Sequence, residues 1–115
     1  MRGSRVFAAV GALCCGASVA LGAYASHAAQ GPAKERLALA ALFAFAHGLA
    51  LIVLMPRTSR LATVAKGMWV SGIGLFSGSL ASAALFGTPT TFAPAGGSLL
   101  ILAWVIVAAD LIGKD

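Results

Sequence analysis

Few side chains in this sequence can do chemistry, and their spacing narrows what that chemistry is. Two histidines, His27 and His47, lie twenty residues apart, the only acids are Glu35, Asp110 and Asp115, and the two cysteines, Cys14 and Cys15, are neighbours. An ion held by two histidines needs both rings about 2 Å away at once. A nucleophilic serine needs a base and an orienting acid within hydrogen-bond reach. The sequence offers no paired carboxylates, no CxxC and no phosphate-binding glycine loop. Adjacent helical residues point about 100° apart, so Cys14 and Cys15 are not expected to bond each other. Each reads as a small hydrophobe. The expectation is a chain that is not an enzyme and carries no metal or cofactor.

One candidate remains. His47 sits inside LALAALFAFAHGLALIVL, eighteen residues without a charge. The elements that position it follow from composition. The 115 residues are 60% hydrophobic and 10% charged, with a mean hydropathy of +0.96. Soluble domains run at about 45–50% apolar and about 25% charged. A single soluble core of this length cannot hide so much apolar surface. Lipid is the solvent that fits. The charges cluster between long apolar runs, each near the 17–25 residues, roughly, that a helix needs to cross a bilayer. The reading is an all-α integral membrane protein, a single domain forming an antiparallel four-helix bundle, with spans at about 6–26, 37–55, 67–86 and 94–113. β-barrel strands would be shorter and would alternate in polarity. The first run imitates a secretory leader but is read as a permanent span.

A net charge of +5 in a soluble protein would raise nucleic-acid binding. Here the cations flank spans, so no nucleic-acid partner is expected. Arg2, Arg5, Arg57, Arg60, Lys66 and Lys114 fall on one side, and Lys34 and Arg36 on the other. Positive-inside sorting then puts both termini in the cytoplasm. Membrane lipids, with anionic headgroups at that face, are the expected partners.

Short connections make consecutive helices antiparallel neighbours. In lipid, helices associate where small residues let backbones approach. Gly67, Ser71, Gly74, Gly78 and Ser82 share an arc of about 80° on helix 3, including the GxxxG of GLFSG. Ala40, Ala44 and Gly48 share one of about 100° with His47 on helix 2. Ala8, Ala12 and Gly16 step by fours on helix 1. These faces are read as bundle packing, with one of them facing outward as the sharper alternative: contact with a second copy or a larger membrane complex.

Counting depth from the span ends puts His47, Ser77 and Trp104 at one level, about 15 Å in. Burial away from water disfavours imidazolium, so a neutral ring is expected. Its one donor and one acceptor each want a partner. Ser77 is the first candidate, Ser71 the second, and the Trp104 indole N–H a further donor. The leading function is a structural or accessory role through helix–helix contacts. The alternatives are a proton or solute path through the His47, Ser77 and Trp104 layer, and a haem or metal redox accessory with His47 paired across a dimer. His27 and Glu35 read as interfacial groups at the other end. Asp110 and Lys114 read as a surface i, i+4 pair.

The segments LGAYASHAA, FAFAHGLALI, GIGLFSGSLASAALFG and PAGGSLLILAW occur in that order. Together they resemble the small membrane family known as domain of unknown function 423, which includes the eukaryotic transmembrane-protein-256 group. FSGS (Phe76 to Ser79), the two histidines, Pro94, Gly96, Gly97 and Trp104 carry the likeness. It implies a four-helix protein of the bacterial inner membrane in prokaryotes, and no activity.

Overall fold

Apolar runs without a breaker become helices in this chain, and the breakers fall where the helices stop. The computed structural model describes residues 2–113. It contains α1 (Arg2–His27), α2 (Gly31–Val53), α3 (Arg60–Phe86) and α4 (Ala93–Ile112). Pro32 and Pro94 lie in the first turns of α2 and α4, where a missing N–H costs nothing. The Ser59 hydroxyl caps α3 by accepting from Ala62 N at 3.1 Å. Gly87 ends α3 at φ +74°, a left-handed conformation that glycine adopts without strain. Each helix is long and apolar enough to span a bilayer. The longest dimension, 47 Å, is close to a bilayer with its headgroup layers, about 40–45 Å.

Three helices start well before the uncharged runs, α1 at Arg2 rather than 6 among them. α2 begins at Gly31 rather than 37, and α3 at Arg60 rather than 67. Lys34, Glu35, Arg36, Arg60 and Lys66 are therefore helical. An uncharged run measures the oily part of a helix, whereas backbone hydrogen bonding continues past it.

α1 packs along α2, α2 along α3, and α3 along α4; α1 touches α3 lightly, and α4 makes no close backbone approach to α1 or α2. Two glycine pairs set the tight hairpins. A Cβ on Gly11 or Gly48 would come within 3 Å of the other's backbone oxygen. On the second hairpin, a Cβ on Gly96 would sit under 3 Å from the backbone of Leu75 and Phe76. These are the close approaches that small residues permit in membranes.

The small faces sort unequally. Ala40, Ala44, His47 and Gly48 are buried, as expected. The α3 stripe is not bundle packing. Gly74, Gly78 and Ser71 are exposed, and a Cβ on Gly67, Gly74 or Gly78 would meet nothing within 4 Å. α3 packs instead through Ala65, Trp69, Gly72, Ile73 and Ser77. On α1, Ala12 and Gly16 also face outward, and Ser4, Gly11, Ser18 and Ala25 face inward.

Candidate functional site

His47 is 5% exposed, and both ring nitrogens are engaged. Nδ1 lies 2.8 Å from the Phe43 carbonyl one turn back on α2. The Trp104 indole N–H donates to Nε2 at 2.9 Å. An indole nitrogen can only donate, so Nε2 must accept. The proton therefore sits on Nδ1 and is donated to Phe43, and the ring is neutral. This one hydrogen bond ties α4 to α2 across a gap that their backbones do not close.

Aromatic rings surround the imidazole. Phe43 stacks on it at 6.0 Å between centroids, Trp69 and Trp104 meet it edge-on at 6.1 and 5.7 Å, and the two indoles lie 4.6 Å apart. Trp69 is fully buried, and its indole N–H has no partner among the described residues. Next to this cluster, a groove of about 330 Å³ runs between α2 and α4 along Ala50, Leu54, Trp104 and Val107. Its walls are apolar except for the indole.

Ser77 is not the histidine's partner. Its hydroxyl donates to the Ala40 carbonyl at 2.8 Å. Ala40 lies seven residues before His47, about 10 Å further along α2. Trp69, eight residues before Ser77, is the α3 residue that meets His47. Depth counted from span ends mis-set the register, because α3 begins seven residues before its uncharged run. Ser71, the second candidate, is exposed. Of the expected layer, the structure brings together His47 and Trp104. His27 and Glu35 are exposed at the far end, as an interfacial reading requires. No cluster of three His, Cys, Asp or Glu side chains capable of holding a metal occurs among the described residues.

A second polar cluster forms at the end that carries the termini. Arg57 Nε pairs with Asp110 Oδ2 at 2.6 Å, and Arg57 Nη2 donates to the Asp110 carbonyl at 3.0 Å. Ser59 donates to Asp110 Oδ1 at 2.5 Å. Lys66 is 1% exposed; its Nζ donates to Ser4 Oγ at 2.8 Å and to the Arg57 carbonyl at 2.6 Å. Ser4 in turn donates to the Met55 carbonyl. Lys114, the other half of the expected i, i+4 pair with Asp110, lies outside the described residues. Asp110 ties the last turn of α4 to the 54–59 loop. Sequence reasoning missed this cluster. The usable signal was a lone acid in the last turn of an oily helix, at the same end as the loop that holds Arg57.

Four apolar helices, glycine-set hairpins and a neutral imidazole bonded between helices define a multi-pass α-helical membrane protein. The family model described as "Protein of unknown function (DUF423)" matches residues 21–97, and the chain belongs to that family. The match takes in His47 and Lys66 and stops before Trp104 and Asp110. No solved structure matches the chain.

Proposed function

We propose a non-enzymatic, accessory role in which this protein works through helix–helix contact, with a second copy as the first partner. The observation that carries this reading is the α3 face of Gly67, Ser71, Gly74 and Gly78. It is small, open and unused within the chain. A leucine-rich face would meet lipid equally well; small residues become useful when another backbone comes close. The stripe borders a groove of about 310 Å³ lined by Gly74, Leu75, Ser79, Ser82 and Phe92. Two such faces related by a two-fold axis match each other, because the patch is the same on both subunits. We place the protein in the bacterial inner membrane with both termini cytoplasmic, on the distribution of Lys and Arg, where anionic headgroups meet the basic end.

Closed bonding at His47 favours this reading over a proton path or a haem ligand, since either use must first break the Trp104 bond. The test uses a background with Cys14→Ala and Cys15→Ala. Gly74→Cys in native membranes is expected to give a disulfide-linked dimer on mild oxidation. Gly74→Leu is expected to shift the native mass in mild detergent from dimer to monomer while helicity stays unchanged. Absence of the cross-link together with a monomeric wild-type mass rejects the second-copy contact. A cross-link to a different protein transfers the role to a larger complex.

A further inference from the structure

The second polar cluster is unbalanced. Arg57 and Asp110 neutralise each other. Lys66, 1% exposed, has no carboxylate within ion-pair distance among the described residues. An ammonium has three N–H donors. Two go to neutral oxygens, Ser4 Oγ and the Arg57 carbonyl. Ser4 cannot turn away, because its own proton is spent on the Met55 carbonyl. Burying a cation without an anion is among the most expensive arrangements a chain can make.

The same lysine lines a cavity. It is a partly open space of about 150 Å³ lined by Gly3, Ser4, Phe7, Thr58, Thr63 and Lys66. At about 30 Å³ per water in the liquid, that volume holds roughly five waters, ample for one oxyanion group. Thr63 spends its proton on the Ser59 carbonyl at 2.9 Å. Thr58 is exposed and its hydroxyl forms no side-chain bond among the described residues, which leaves it to donate into the cavity from the open side. Among the described residues no carboxylate lines the space. A third N–H, a threonine hydroxyl, one uncompensated positive charge and a mouth at headgroup depth converge.

We propose that the cavity between the N-terminal ends of α1 and α3 and the loop before α3 binds one phosphate oxyanion, with Lys66 as its charge partner and Thr58 as a second donor. The oxyanion comes from an anionic lipid headgroup or from free phosphate, which share this chemistry. The inference is independent of the α3 contact, which lies on another face.

Purified protein in a non-ionic detergent is titrated with short-chain phosphatidylglycerol, short-chain phosphatidylcholine and sodium phosphate, and the melting temperature is followed. A saturable rise is expected from wild type, with the half-effect concentration raised at least about tenfold in Lys66→Met and about fivefold in Thr58→Val. A rise with phosphatidylglycerol and not with phosphate assigns the lipid. A rise with phosphate at matched concentration assigns the free anion. Both support the site. No saturable rise with any of the three overturns it, as does an unchanged half-effect in Lys66→Met. If Lys66→Met is too unstable to purify, Thr58→Val decides, since its substitution lies in an exposed loop. An unchanged half-effect there also overturns the proposal.

Discussion

The mid-depth cluster around His47 and the cluster at the termini end handle polarity in opposite ways. Around His47 the polar groups are neutral: the ring donates to its own helix and accepts from the indole of α4. At the termini end three of the groups, Arg57, Asp110 and Lys66, are formally charged, and they bond to one another, to serine hydroxyls and to a loop carbonyl. Depth explains the difference. Charge is most costly at the bilayer centre and far less so near headgroups, where long side chains reach polar surroundings. The deep cluster can therefore only align helices, whereas the shallow one can hold a net charge and interact with ions.

The widest test of that contrast is Asp110→Asn. It leaves Arg57 without its carboxylate beside Lys66, so both cations of the cluster then lack an ion-pair partner among the described residues. The melting temperature in detergent is expected to fall further than for any mid-depth substitution; the reverse order breaks the comparison. His47→Phe comes next. It keeps an aromatic ring but strands the Trp104 N–H, at a cost of about 2 kcal/mol in a reversible unfolding assay. Trp104→Phe leaves only Nε2 unpaired and is expected to cost about 1 kcal/mol. ¹⁵N NMR of labelled histidine sharpens this case. Wild type is expected to show His47 protonated on Nδ1 with an accepting Nε2, and Trp104→Phe is expected to shift the Nε2 signal. An Nε2-protonated wild type refutes the assigned donor. Ser77→Ala is the smallest, about 0.6 kcal/mol or less, because the Ala40 carbonyl keeps its helical bond. An equal loss for Ser77→Ala and Trp104→Phe means that the indole bond carries nothing special.

Part of the site could be read from residue types. A histidine in an uncharged helix had to be neutral and bonded, and an indole was among the available donors. Its meeting with Trp104 came out correctly. The level of Ser77 did not, because α3 starts at Arg60 and carries Lys66 two turns inside. The stripe on α3 was visible as a pattern, yet periodicity shows that residues share a face without saying which way the face looks. Gly72, which does meet α4, lies outside that stripe.

Composition and charge spacing determined the solvent, the number of crossings and their alternation, because each is a property of one segment at a time. Proline, serine and glycine at segment ends determined where the turns fall. Relative register, the outward turn of the α3 stripe and the partners of Asp110 and Lys66 were decided only by tertiary structure. They depend on how far two helices slide past each other before glycines meet. That is a balance of contacts between segments, and no single segment contains it.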